Sequence, residues 1–325
     1  MAPLLSVTGL TVEFAPRRGP WLPVIDNVSF EINRNEVLAL VGESGSGKTV
    51  TSLALLGLVE YRGGRIASGS VEFDGIQLRD LTARGWRGIR GNRIGMIFQE
   101  PTEALNPAFT VGDQISETVR VHSTATRRSA RNRAIELMRL VRIPNPEQRV
   151  RDYPHMFSGG MCQRVAIAQA LAAEPDLLIA DEPTTALDLT VQARILQLLR
   201  DIQERTGISI LLITHDFGVV SEMADSVVVM YAGQVVETGP ASDVLTHPIH
   251  PYTETLLGAV HASGQDGRVA TAPGIVPGPN EIPPGCRFHP RCVHAIADCE
   301  TVAVELREFG VRRMSRCLRS HELYF

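Results

Sequence analysis

Val37-Leu38-Ala39-Leu40-Val41-Gly42-Glu43-Ser44-Gly45-Ser46-Gly47-Lys48-Thr49 begins as an unbroken apolar run, passes through a glycine-rich turn, and continues over 49–58 with helical character. The apolar run has the form of a strand buried on both faces, as in a parallel sheet. Its last eight residues fit G-x-x-x-x-G-K-[ST], in the strand-then-helix context that gives the pattern its meaning. Glycines let the backbone wind closely round phosphate, so that successive N–H groups and the following helix N-terminus point at negative charge. Gly42, Ser44, Gly45, Ser46 and Gly47 are therefore read as the cradle, Lys48 as the residue reaching the β and γ phosphates, and Thr49 as a hydroxyl ligand of Mg²⁺. The expected ligand is a nucleotide with its Mg²⁺ in an α/β, P-loop NTPase fold.

A second apolar run, 177–180, ends in Asp181-Glu182-Pro183. Ligands of open α/β sheets bind at the carboxyl ends of strands, which suits Asp181 to the Mg²⁺ shell. Glu182 leaves the strand one residue later, where a carboxylate can polarise water for in-line attack on the γ phosphate.

Composition bounds the rest. The 325 residues have room for one large domain or two modest ones, and 44% apolar against 21% charged residues is ordinary for a globular protein. With 32 basic and 36 acidic residues the formal charge is −4, so no whole-molecule positive field exists to hold a nucleic acid. Apolar runs fall far short of the ~20 residues that span a bilayer. The N-terminus has no basic segment followed by a sustained apolar stretch, so it does not read as a signal peptide, and a cytoplasmic protein is expected.

Residues 6–14 and 24–32 alternate apolar and polar residues like half-buried strands, separated by a loop over 15–23. Residues 111–153 change to helical spacing, with Ile135, Met138 and Val141 able to share one face. Residues 209–213 form another buried strand, and 227–231 with 234–237 flank Ala232-Gly233 as a hairpin. Beyond about residue 257 the chain turns rich in Gly, Pro and His, and a boundary is drawn there. No internal repeat is evident.

Phe157-Ser158-Gly159-Gly160-Met161 resembles the signature LSGGQ, and with the two motifs above it identifies the chain as a member of the ABC ATPase family. The resemblance implies a RecA-like core, an N-terminal antiparallel β subdomain and an inserted helical subdomain over about 111–170, together spanning 1–257. It implies that Ser158, Gly159 and Gly160 contact the γ phosphate held by the opposite subunit of a head-to-tail dimer. It also implies that Gln99 senses Mg²⁺ or water in a loop touching a transmembrane partner, that Asp188 in TALD belongs to the site, and that His215 is the switch histidine contacting the γ phosphate. Phe14 matches the aromatic that stacks on adenine in relatives, and Trp21 is an alternative.

GESGSGKT, IFQEPTEALNP and the His247-Pro248 to Thr253 segment narrow the resemblance to ATPases of oligopeptide and dipeptide permeases, a branch that includes nickel and glutathione importers. That implies two transmembrane permease subunits, a second and paralogous ATPase, a substrate-binding protein acting indirectly, and a peripheral place on the cytoplasmic face of a bacterial inner membrane. A soluble ABC ATPase of DNA repair or translation is the rival of another class; such proteins usually carry two cassettes or long insertions, which are not seen here.

Of five cysteines, Cys162 reads as a packing thiol, while Cys286, Cys292, Cys299 and Cys317 follow C-x5-C-x6-C-x17-C within a 258–325 extension. This spacing matches neither a zinc ribbon nor a ferredoxin. The branch resemblance implies a [4Fe-4S] cluster, with structural zinc or free thiols as alternatives. Arg84, Arg87, Arg90 and Arg93, and a second group at Arg127, Arg128, Arg131 and Arg133, read as solvated faces, or for the first group as a contact with permease or acidic lipid.

Overall fold

Buried positions alternate along β1 (Leu5–Phe14), with Leu5 and Val7 and then, after a shift in register, Leu10 and Val12 facing inward. β1 pairs antiparallel with β2 (Leu22–Ile32) and with β4 (Gly64–Phe73), giving the order β2-β1-β4-β5 once β5 (Ile76–Gln77) is added. Between them β3 (Val37–Val41), buried at every residue, leads into α1 (Lys48–Leu55). The computed structural model describes residues 2–15, 19–100, 104–185, 187–262 and 274–323. The middle of the 15–23 loop, Pro101 to Glu103 of the stretch after Gln99, Ala186 of TALD, and the 263–273 part of the Pro/Gly-rich tail lie outside the described residues.

The chain divides into two units, Met1–Arg79 with Ile213–Phe325, and Asp80–Leu212. The second holds α2 (Ala83–Ile89), β6 (Ile94–Ile97), α3 (Val111–His122), α4 (Arg127–Leu140), α5 (Pro146–Arg149), α6 (Gly159–Ala170), β7 (Leu177–Asp181) and α7 (Leu189–Thr206). β6 and β7 pair in parallel. Thr110, Thr126 and Asp188 cap α3, α4 and α7 by accepting from the N–H groups of Asp113, Ser129 and Val191, as short oxygen-bearing side chains do at helix starts. The buried stripe of α4 is Ala130, Ala134, Leu137 and Met138, followed by Val141; of the three residues expected to share a face, Met138 and Val141 are buried and Ile135 is half-buried at its margin.

β8 (Ser209–Thr214) carries the chain back into the first unit. There α8 (Phe217–Met223), β9 (Ser226–Tyr231), β10 (Gln234–Pro240), α9 (Ala241–Thr246) and α10 (Pro251–Ala262) follow. β9 lies parallel to β3 and antiparallel to β10, with Ala232 (φ 44°) and Gly233 (φ 82°) forming the expected two-residue turn. After α11 (Asp298–Thr301), β11 (Arg307–Glu308) and β12 (Met314–Ser315) extend this sheet beside β10.

The last segment packs into the first unit's core. Phe288, 1% exposed, sits among Tyr231 and Tyr252, with ring centroids 5.2 and 5.3 Å away. Arg287 pairs with Asp26, and Arg316 donates from Nε to the Val235 carbonyl at 2.8 Å.

Candidate functional site

In the first unit the phosphate loop has the shape its sequence predicts. Gly47 caps α1 at φ 104°, a left-handed conformation, and a Cβ there would stand 2.6 Å from Ile25 Cγ2. At Gly42 a Cβ would lie 2.2 Å from the Met230 carbonyl oxygen. Lys48 is buried, and its Nζ donates to the carbonyls of Gly42 at 2.7 Å and Glu43 at 3.0 Å, which coils the loop around it. Ser44, Gly45 and Thr49 are exposed along the mouth. Ser46 Oγ is buried with no hydrogen-bond partner, a polar atom that a bound oxyanion or water would satisfy. The residues present fit a nucleoside triphosphate, and the exposed Thr49 hydroxyl is an oxygen donor of the kind Mg²⁺ takes.

In the second unit β7 ends at Asp181, 1% exposed, and Glu182 follows at φ 47°. A non-glycine residue held left-handed directly after a buried strand is strained, and such strain persists where neighbours over-determine it. Here Thr185 Oγ1 donates to Glu182 Oε2 at 2.7 Å and Gln99 Nε2 reaches the same oxygen at 3.4 Å. The structure thus brings Gln99, Glu182 and Thr185 together. Thr185 was not singled out in the sequence, although a hydroxyl three residues after the acid on the same turn is the signal that could have found it.

Ser158, also in this unit, occupies the N-cap position of α6 without using its side chain as a cap, and it is exposed. Gly159 faces open space, whereas a Cβ on Gly160 would meet Val191 Cγ1 at 2.7 Å. The exposed serine and the free first amides of α6 make an anion-ready helix start. Asp188 spends its carboxylate on the cap of α7, accepting from Val191 N–H at 2.9 Å.

The remaining expected residues fall in the first unit. His215 is exposed after β8, next to Asp216, which caps α8 through Gly218 N–H at 2.7 Å. Phe14 is half-buried with its ring on Gly64, while Trp21 is 40% exposed under the Arg65 guanidinium, 4.3 Å from its centroid. A broad cleft of about 1020 Å³ in this unit, bordered by Asn33, Arg34, Asp225, Arg312 and Met314, includes no residue of the phosphate loop.

Cys286, Cys292, Cys299 and Cys317 all line one cavity of about 20 Å³. Burial pushes the Cys286 thiol up to about 11 and raises Cys292 and Cys317, and nearby cysteines add to the rise. Thiolates are the donor type that thiophilic metals take. As the side chains stand, no three metal-binding groups among the described residues are arranged to hold an ion. Cys162 is buried and donates to the Pro154 carbonyl at 3.5 Å, as a packing thiol does. Of the arginines, Arg93 pairs with Asp176 at 2.8 Å and Arg90 stacks over Trp86, so the first group does not form one solvated face; Arg127, Arg128 and Arg131 are exposed.

Residues 25–185 match the family model described as ABC transporter, and 236–299 match that described as oligopeptide/dipeptide transporter, C-terminal region. The chain is 47% identical to an oligopeptide transport ATP-binding protein, AppD, of Bacillus subtilis, covering 99% of this chain and 98% of that protein. It is 51% identical to a putative peptide import ATP-binding protein of Brucella abortus, covering 92% and 90%. To the dipeptide transport ATP-binding protein DppD of Escherichia coli it is 46% identical, covering 97% and 96%. Among solved structures it is similar to the ATP-binding cassette MJ0796, a dimer in a post-hydrolysis state bound to ADP and Pi, with TM-score 0.65, 27% identity, and 73% of this chain and 98% of that one covered.

Proposed function

The chain belongs to the ABC transporter family, and from that premise we propose that it is the ATP-hydrolysing subunit of a bacterial importer of di- and oligopeptides. The observation that carries the ATPase half is a phosphate loop packed so tightly on Met230 and Ile25 that Gly42 and Gly47 leave no room for a Cβ, together with a carboxylate, Glu182, braced by Thr185 and Gln99. Peptide as cargo is supported by near-full-length identity of 46 to 51% to proteins named for peptide transport.

Lys48 neutralises phosphate charge, Thr49 and Asp181 would hold Mg²⁺, and Phe14 or Trp21 stacks on the base. Mg²⁺, when bound, draws charge from the β and γ oxygens. Glu182 accepts a proton from the attacking water, Gln99 orients that water, and His215 contacts the γ phosphate; the bond from the γ phosphorus to the bridging oxygen breaks, leaving ADP and phosphate. Ser158, Gly159 and Gly160 close on nucleotide held by a second ATPase, proposed to be a paralogue, and Asp188 lies at that junction. Residues 1–257 form the nucleotide-binding domain and 258–325 the extension. The four cysteines of the extension would hold a [4Fe-4S] cluster, with zinc as the alternative; such a group would staple a segment poor in apolar residues.

No helix among the described residues is long and apolar enough to cross a membrane. Attachment to the inner face is proposed to run through two permease subunits. The test is to co-purify the chain with its membrane partners and measure ATPase activity against peptide, nickel and glutathione, each delivered by the binding protein. Peptide-specific stimulation is expected; stimulation by nickel or glutathione alone would move the cargo to another part of the branch, and purification without any membrane partner would remove the transporter reading. Iron and acid-labile sulfide in anaerobically prepared protein test the cluster, and colourless, iron-free protein would count against it.

A further inference from the structure

Glu43 sits at an awkward place for a carboxylate. It follows Gly42 in the phosphate loop, its carbonyl oxygen accepts from Lys48 Nζ at 3.0 Å, and its side chain remains 29% exposed. An acid beside a cradle for a triphosphate repels its own ligand unless something cancels it.

Arg291 provides that cancellation from the cysteine-bearing extension. Its Nη1 donates to Glu43 Oε2 at 2.9 Å and its Nη2 to Oε1 at 3.1 Å, the two-pronged geometry in which guanidinium and carboxylate pair most strongly. The arginine side chain is only 7% exposed, held over Tyr231 and Phe288 with its guanidinium carbon 5.6 and 5.8 Å from their ring centroids. The same aromatic cluster reaches the loop backbone, where Glu43 N–H donates to the Tyr252 hydroxyl at 2.9 Å. The short turn His289–Arg291 places this arginine directly before Cys292. In the first unit, a phosphate-loop side chain is thus fixed by a residue about 250 positions away in the chain, 248 by count.

We propose that Arg291 is a charge-masking and positioning residue of the nucleotide site: it holds and neutralises the Glu43 carboxylate, so that affinity for ATP depends on the C-terminal extension. The inference rests on the ATP-binding reading above. A plain staple between extension and core makes a different prediction, because a staple is broken whichever partner is lost, whereas a mask becomes unnecessary once the charge it covers is gone.

The experiment is equilibrium binding of a fluorescent ATP analogue, methylanthraniloyl-ATP with Mg²⁺, to the full-length chain, with folding checked by circular dichroism. Arg291→Ala is expected to weaken binding about tenfold at low salt, with the deficit shrinking as added salt screens Glu43. Glu43→Gln alone should bind within about twofold of the unaltered protein, and Arg291→Ala combined with Glu43→Gln should recover to within about threefold. Arg291→Lys, which keeps the charge but not the two-pronged pairing, should bind between the unaltered protein and Arg291→Ala and serves where the alanine variant does not fold. A double variant as weak as Arg291→Ala, or a folded Arg291→Lys that loses tenfold or more, would overturn the masking role. If the unaltered protein and Lys48→Ala bind the analogue equally poorly, the nucleotide site itself is wrong; if the unaltered protein binds better than Lys48→Ala and Arg291→Ala matches the unaltered protein, the mask alone fails.

Discussion

Glu182, the proposed base, is held in a strained backbone conformation. Its φ of 47° turns the side chain off the end of β7, and Thr185 at 2.7 Å with Gln99 at 3.4 Å keeps one oxygen in place. Glutamine in its position is nearly the same shape and can retain these contacts, but it cannot take a proton from water. Glu182→Gln is therefore expected to bind ATP with unchanged affinity and to lose at least ~100-fold in turnover. Single-turnover hydrolysis beside a nucleotide-binding titration checks it, and near-normal hydrolysis would take the base role from Glu182. The sequence pointed to this residue because an apolar strand running into two acids is a local pattern. It could not point to the left-handed backbone or to Thr185, since both depend on how the turn after the strand closes.

At the scale of elements, the segment from β10 to α10 shows what a run of residues can hide. Its His-Pro-Ile-His-Pro-Tyr-Thr text, 247–253, carried only a resemblance in the sequence; in the structure it is a polar knot inside the core. The Glu237 carboxylate, fully buried, accepts from Ile249 N–H and His250 N–H, each at 3.0 Å, and from Arg313 Nη2 at 2.9 Å. Arg313 comes from the turn between β11 and β12, two strands too short for any periodicity to reveal, so the pairing of tail and core was not legible beforehand. Removing one partner of a buried ion pair strands the other, and Arg313→Ala should cost about 3 kcal/mol, read as a lowered urea midpoint. An unchanged midpoint would show that the pair contributes little.

His250 in the same knot is 1% exposed, and its Nδ1 accepts from Tyr252 N–H at 3.0 Å. Burial pushes its pKa from 6.5 down to about 3. The folded state therefore holds the neutral ring, while the unfolded chain takes up a proton once pH falls below about 6.5. The stabilising contribution is complete above that value and is lost as pH falls towards 3, at about 1.4 kcal/mol per pH unit. His250→Gln keeps an acceptor for the Tyr252 amide but does not titrate, so its stability should fall less steeply between pH 6.5 and 4; parallel slopes would exclude the histidine as the source.

For the whole molecule, the order of motifs was readable because each is a short local text: phosphate loop, Gln99, signature, acid pair, His215. What each unit does with them was not, because Asp188 is committed to capping α7 while Ser158 leaves its own helix uncapped. Ser158 and Gly159, exposed at a helix start with the serine side chain not used as a cap, fit work on another subunit's nucleotide. Gly159 offers the cleanest trial of that idea, since nothing lies within 4 Å of the place where its Cβ would stand. Gly159→Glu should fold with an unchanged melting temperature and bind ATP as before, because the phosphate loop lies in the other unit of the chain. Placed opposite a γ phosphate, however, the new carboxylate would repel it. In a Glu182→Gln background, where ATP persists, light scattering should find association on adding ATP, and the further Gly159→Glu change should abolish it. ATP-driven association that survives the added glutamate would show that the signature turn does not close on a neighbour's nucleotide.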